Sequence, residues 1–324
     1  MSHRIAIIGI GAIAGMHARA IGDLPNATLV AGSCRGEQKG RKFAEQFGCK
    51  WYADYEKMLD AEKPDLVTLC TPSGAHLEPT EACAKRGIHV LCEKPLEITT
   101  HRIDRMIAAA KSGGITLGGI FPQRYHGVVK AVHAAASEGR FGSLSLVNAC
   151  VPWWRDDAYY APERWQGTLE LDGGGALMNQ SIHGVDMLQW IAGATMPDLK
   201  AGENPVAEVF AWTSQRGNDP KLIEVEDTAV GVVKFRNGAL GQVLGATSMY
   251  PGTLKRFQIA GRDGTAEIFE DELTAYQFRS EQAEDAKLRE RFAAQTTTGG
   301  GASDPMAIRS PFGVHLVQVT DQQP

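Results

Sequence analysis

The sequence predicts an α/β protein in two parts. An N-terminal doubly wound parallel sheet of the Rossmann type comes first, then an α+β domain with a large, mostly antiparallel open sheet. Three observations carry this. An uncharged apolar run at residues 5–8 leads into Gly9-x-Gly11-x-x-Ala14 and then into helix-forming residues. Short apolar runs alternate with amphipathic stretches up to about residue 120, as right-handed β-α-β units require. From Gly142 the pattern changes to strand signals punctuated by the hairpin turns Asn237-Gly238 and Asp263-Gly264. The division expected is 1–122, 123–295 and an irregular tail at 296–324.

The first turn has the chemistry of a dinucleotide site. Gly9 permits a tight turn, Gly11 lets backbone approach a pyrophosphate, and Ala14 allows close helix–strand packing, with Ala12 and Ile13 completing the loop. Free N–H groups and the dipole at the new helix start attract a diphosphate. The competing readings are an ordinary glycine-rich turn or the apolar core of a signal peptide; Ser2–Arg4 is a poor n-region and no clean cleavage site follows, so the dinucleotide turn is the expectation.

Residues 27–33 read as a second buried strand, and its far end bears on the cofactor. An acidic residue there would bond a ribose 2′-hydroxyl, whereas an arginine suits a 2′-phosphate. The end reads Gly32-Ser33-Cys34-Arg35, with Glu37 late and Lys39, Arg41 and Lys42 beyond. Ser33 and Arg35 are the candidate contacts, and NADP is expected, with NAD the alternative. The plain alternative is a solvated basic helix face. Runs at 66–71 and 88–92 are further buried strands, with a helix between them. Thr71-Pro72-Ser73 and Glu93-Lys94-Pro95 close them, at the sheet edge where ligands bind in such folds. A helix at 100–111, a strand at 116–120 and a helix at 123–136 follow. Later strands are expected at 144–151, 206–213, 228–235 and 239–247, with one long helix at 175–191.

The 324 residues are 43% hydrophobic with a formal net charge of −5, which points away from nucleic acid and anionic membrane partners. No apolar run reaches membrane-span length. The six cysteines include no C-x-x-C pair, so buried thiols in a reducing cytoplasm are expected and a metal site is not.

Two constellations could do chemistry. Lys94, before a proline and therefore extended, could stabilise developing negative charge on a substrate oxygen; the alternative is an ordinary loop lysine. In Leu171–Trp190, LDGGGALMNQSIHGVDMLQW, three glycines lead into a helix with an apolar face of Leu177, Val185, Leu188 and Ile191. Asn179, His183, Asp186 and Trp190 fall on another stripe of that helix, which carries no Lys or Glu and so reads as facing a cleft. His183 could exchange a proton near neutrality, or be a satisfied interface histidine. Trp153, Arg155, Tyr160 and Trp165 offer aromatic faces and a cationic fork for a sugar, or form a packing loop. Arg124 is a candidate for another wall.

IGIGAIAGMHA, TPSGAH, CEKPL and GGGALMNQSIHGVD, in this order, resemble the Gfo/Idh/MocA oxidoreductase family over residues 3 to at least 278. The resemblance implies a nicotinamide cofactor, a sugar or cyclitol whose reacting hydroxyl or ketone lies between Lys94 and His183, and a homodimer or homotetramer formed through the open sheet. It implies that Thr71, Pro72, His76, Glu93 and Lys94 line the cofactor. One departure stands out. Many members carry Asp where this chain has Asn179, which can orient a hydroxyl but cannot hold a proton. The same variant is similar to a branch that includes dehydrogenases of nucleotide-linked amino sugars. A cofactor-cycling epimerase or eliminase and a redox-silent dinucleotide-binding regulator are the rival readings. Members of the family usually run on into a further helical segment. Here residues from about 296 are expected to form no substantial helix and to pack loosely, as a shortened tail whose only strand-like run is 314–319.

Overall fold

The structure, a computed structural model, describes residues 2–200, 202–293, 306–310 and 313–317. Its first elements are β1 (His3–Ile8), α1 (Ala14–Gly22), β2 (Ala27–Ser33), α2 (Glu37–Phe47), β3 (Lys50–Tyr52), α3 (Tyr55–Glu62), β4 (Leu66–Leu69), α4 (Leu77–Ala84), β5 (His89–Cys92), α5 (Thr100–Gly113) and β6 (Leu117–Gly119). The strands make one parallel sheet in the order β3-β2-β1-β4-β5-β6. Residues 5–8 are uninterruptedly apolar because β1 is buried on both faces. Ala6 and Ile8 join one core with Met58, Leu59, Leu77 and Met106, while Ile5 and Ile7 join another with Ala14, Ala18, Ile21 and Phe43. β3 was not among the expected strands. It is a three-residue edge strand whose first residue, Lys50, is exposed, so it lacks the apolar run of its neighbours. The strand order reverses between β1 and β4, the switch point where ligands bind in doubly wound sheets.

The chain divides into two compact units. The first runs to Ile120 and also takes in Thr168–Gly173, which a linear division at residue 122 does not include. The second comprises α6 (Gly127–Ser137), β7 (Leu144–Pro152), α7 (Ile182–Ala194), β8 (Val206–Ser214), β9 (Thr228–Phe235), β10 (Leu240–Ala246), β11 (Arg256–Gly261), β12 (Gly264–Phe269), β13 (Glu272–Phe278) and α8 (Ala283–Arg291). Its sheet runs β13-β12-β11-β7-β10-β9-β8, antiparallel except where β7 meets β10. Alternation along the strands buries one face. Val147, Val233, Phe235, Val243 and Ile259 pack with Val128 and Val132 of α6 and with Met187, Leu188 and Ile191 of α7. The other face carries exposed Phe210, Trp212, Val230, Val232 and Leu240.

Two helices differ from expectation. The helix expected from residue 123 begins at Gly127, because Pro122–Tyr125 form a separate 3₁₀ turn and His126 is extended. The helix expected over 175–191 is broken into a π-helical turn, Ala176–Gln180, and α7. Gly175 is the cause. A Cβ there would lie 1.9 Å from the Glu226 carbonyl oxygen, so the chain enters flush against the start of β9. Of the tail, Met306–Ser310 (β14) and Gly313–Val317 (β15) form an antiparallel pair; the remainder of 294–324 lies outside the described residues, as does the expected loose packing.

Candidate active site

In the first unit the loops after β1, β2, β4 and β5 gather candidate residues at the carboxyl edge of the sheet. Gly9 has φ +93°, and a Cβ on it would lie 2.6 Å from backbone atoms of Cys70 and Thr71. A Cβ on Gly11 would meet only the Cys70 carbonyl oxygen, at 3.9 Å, which leaves the approach to the α1 amides open. Those amides are also unclaimed by side chains. Asp54 caps α3 and Thr99 caps α5, but Ile13, ahead of α1, offers no side-chain cap and the first turn of α1 holds no acidic residue. A helix start left this way fits a pyrophosphate held by Gly9, Gly11, Ala12, Ile13 and Ala14.

At the end of β2, Ser33 is buried and Arg35 is exposed. The nearest carboxylate, Glu37, already accepts from Arg41 Nε at 2.7 Å. Pro72 leads into a short 3₁₀ turn, Ser73–Ala75, and Thr71 Oγ1 donates to the Ala75 carbonyl at 3.0 Å. His76 is placed differently from the expectation of a cofactor-lining residue. It is 1% exposed, with Nε2 at 3.0 Å from the Thr71 carbonyl and Nδ1 at 3.1 Å from those of Pro95 and Leu96. It therefore ties two edge loops together from beneath. Glu93 accepts the Lys94 amide at 3.1 Å on one oxygen and faces His17 Nε2 at 2.9 Å with the other. Sequence reasoning passed over His17; the available signal was an imidazole on an α1 turn that otherwise packs inward.

In the second unit the π turn that precedes α7 is anchored by a residue just ahead of β9. Glu226 accepts the amides of Gly175 and Leu177 on its carboxylate, each at 2.9 Å, and the Ala176 amide on its carbonyl at 2.9 Å. Asn179 is buried in the π turn and His183 is half-buried one residue into α7. The expected stripe of four does not hold as a single face, because the π turn shifts Asn179 relative to α7. Asp186 and Trp190 have other duties: Asp186 forms a two-point ion pair with Arg124, and Trp190 stacks on His133 at 3.8 Å. Arg124 is thereby committed to the Asp186 carboxylate, which raises its pKa, rather than left to hold a substrate. Tyr160 is 4% exposed and donates to Thr247 Oγ1 at 3.1 Å, so it packs inside. Trp153, Arg155 and Trp165 are half-buried and remain accessible.

A glycine turn after the first strand of a 3-2-1-4-5-6 parallel sheet, followed in the chain by a separate α+β unit, is the fold of a nicotinamide-dependent oxidoreductase. Residues 3–119 match the oxidoreductase family with NAD-binding Rossmann fold, and residues 129–267 match the GFO/IDH/MocA C-terminal domain. The chain is 31% identical over 271 residues to the myo-inositol 2-dehydrogenase of Thermotoga maritima, covering 83% of this chain and 75% of that protein. It is 28% identical over 249 residues to the D-glucoside 3-dehydrogenase of Escherichia coli, 73% of this chain and 68% of the relative. The WlbA dehydrogenase from Bordetella pertussis, solved with NADH and UDP-GlcNAcA, superposes with a TM-score of 0.82 at 30% identity, covering 89% of this chain and 81% of its own. The chain belongs to the Gfo/Idh/MocA oxidoreductase family. It is an NAD(P)-dependent oxidoreductase.

Proposed function

We propose that this enzyme oxidises a secondary alcohol of a sugar, sugar derivative or cyclitol, or reduces the matching ketone. The observation that carries the reading is His183, a half-buried imidazole in the first turn of α7, which follows a π turn pinned by Glu226. The bound nicotinamide supplies the hydride acceptor. In oxidation His183 would take the hydroxyl proton as the carbinol carbon becomes a ketone carbon, the hydride being the cofactor's share of the chemistry. Lys94 stabilises the forming alkoxide, and Asn179 orients the hydroxyl without taking its proton. Thr71, Pro72 and Glu93 line the cofactor, with His76 and His17 holding those loops in place. Arg35 and the engaged Glu37 favour NADP over NAD. The substrate meets Trp153, Arg155 and Trp165 on the second unit.

The exposed apolar face of the seven-stranded sheet packs against a second copy, in a homodimer or homotetramer. Six free cysteines fit a reducing cytoplasm, and no helix among the described residues is long and apolar enough to cross a membrane.

The test follows absorbance of reduced nicotinamide while sugars and cyclitols are screened. Net change with one substrate supports the reading, and His183→Asn should lower kcat about a hundredfold or more. Product without net change would favour a cofactor-cycling epimerase or eliminase, and binding without turnover a regulator.

A further inference from the structure

Six arginines are half-buried among the described residues: Arg86, Arg102, Arg124, Arg140, Arg155 and Arg289. Five of them meet a carboxylate, respectively Asp60 with Glu56, Glu97 with Glu78, Asp186, Asp285 and Glu281. Arg155 has no ion pair among the described residues. Its guanidinium donates to two neutral acceptors, the Trp154 carbonyl at 2.9 Å and Gln180 Oε1 at 3.0 Å. Trp153 and Tyr159 flank it, with ring centroids at 5.3 and 5.5 Å. A partly desolvated cation without a counter-charge is unfavourable unless something else compensates it.

The position is nevertheless held firmly. The Arg155 amide donates to the Thr247 carbonyl at 2.8 Å, and its own carbonyl accepts from Asn218 Nδ2 at 3.0 Å. Asn218 is fixed in turn by Asp227, fully buried, whose Oδ2 accepts the amides of Arg216, Gly217 and Asn218 at 2.8, 2.6 and 3.1 Å. Gln180 is oriented from its other end. Its Nε2 donates to the Tyr159 hydroxyl at 2.8 Å and lies 3.5 Å from Asn179 Oδ1, which turns Oε1 toward Arg155. Five guanidinium N–H groups less two engaged leave three donors, including a planar pair suited to two oxygens of one anion.

We propose that Arg155 takes an oxyanion of the substrate, a carboxylate or phosphate carried on or beside the reacting ring. Nearness to the ring follows from Gln180, whose side chain meets both Arg155 and Asn179. The inference rests on the reading of Asn179 and His183 as substrate residues, and it selects charged sugars over neutral ones.

The test compares neutral hexoses and cyclitols, hexuronates and hexose 1-phosphates. Turnover is read by nicotinamide absorbance, and binding by tryptophan fluorescence of the cofactor-loaded protein, since Trp153 adjoins the fork. Charged members should bind more tightly. Arg155→Met should cut their advantage over neutral members about ten- to hundredfold, the range for a hydrogen-bonded charge, and Arg155→Lys should restore part of it. The hexuronate and phosphate arms identify which oxyanion is preferred. Equal binding of charged and neutral members, or an advantage that Arg155→Met leaves intact, overturns the proposal. If Arg155→Met melts early, Arg155→Lys decides, since it keeps the charge and stem but loses the fork. Saturable, Arg155-dependent anion binding without turnover would uphold the anion site while removing the reading of Asn179 and His183 as the residues that act on that ring.

Discussion

His17 and Glu93 meet at 2.9 Å beneath the edge of the parallel sheet, joining the first turns of α1 to the loop that presents Lys94. Both are largely buried, with side chains 12% and 13% exposed, and the second His17 nitrogen lies 3.1 Å from buried Thr68 Oγ1. Glu93 is thus held on one oxygen by His17 while the other accepts the Lys94 amide. His17 thereby links α1, which follows the Gly9–Ala14 turn, to the loop that carries Lys94.

Removing that link should loosen the loop. His17→Leu is expected to weaken cofactor binding and lower kcat, each about tenfold, as losing a hydrogen bond to a buried charge implies. His17→Gln, which can still donate to Glu93, should recover most of both. Cofactor titration and steady-state kinetics check this, and a His17→Leu enzyme with unchanged kcat would remove the link from the mechanism.

Glu226 should matter more to the second unit than its sequence position suggests. Its carboxylate holds two amides at the start of the π turn, and Glu226→Ala leaves both without an acceptor. Unfolding free energy should fall by about 2 kcal/mol or more. Activity at a temperature where the variant is fully folded should fall further, because Asn179 lies in this turn and His183 follows it. Chemical denaturation paired with kcat would show whether the two losses separate.

What was legible from sequence was what local rules decide. Residues 5–8 with Gly9, Gly11 and Ala14 identify the first β-α unit because buried strands and tight turns have short-range signatures. Asn237-Gly238 likewise marks the hairpin between β9 and β10. Other features are set by partners far along the chain. The π turn depends on Gly175 pressing against Glu226, fifty-one residues later. The association of Thr168–Gly173 with the first unit depends on the Gly74 amide donating to the Leu171 carbonyl at 2.8 Å. Arg124 and Asp186 were both noticed, but their pairing spans sixty-two residues and no local pattern announces it. His76 and Tyr160 carry polar atoms that look available for ligands, yet tertiary packing satisfies them internally. Glu226 and Asp227 sit in the run Glu224-Val225-Glu226-Asp227, an acidic cluster ahead of a strand that could have marked backbone-capping carboxylates.

His76 should make the first unit sensitive to mild acid. Burial pushes its pKa below the ordinary histidine value, with the facing carbonyl groups of Thr71, Leu96 and Pro95 opposing part of that shift. The unfolded chain, with a histidine pKa of about 6.5, then binds the proton more readily than the folded one. The stability from neutral His76 is fully present above that pH and is lost as pH falls through the folded value. His133, also lowered by burial and then by Arg124, acts in the same direction. Melting temperature should therefore drop between pH 7.5 and 5.5, before the carboxylates titrate. A His76→Gln protein should show a shallower dependence, and a flat wild-type profile would refute the assignment.

Cofactor choice is the remaining expectation, and it turns on three residues after β2. Ser33 ends the strand, buried, and cannot offer the carboxylate that a ribose 2′-hydroxyl site uses. Glu37 could approach only by giving up Arg41, its 2.7 Å partner one helical turn away. Arg35 is exposed and among the described residues has no carboxylate within ion-pair distance, so its fork is available to a 2′-phosphate. NADP should bind more tightly than NAD, and Arg35→Ala should narrow the difference by about tenfold or more, the scale of a charge-assisted hydrogen bond. The narrowing should come from weaker NADP binding, with NAD little changed, and should shrink at high salt because the contact is exposed. Fluorescence titration of both cofactors against both proteins measures this directly. A wild-type protein that prefers NAD would mean that Ser33 and the neighbouring backbone recognise the free ribose without help from a carboxylate.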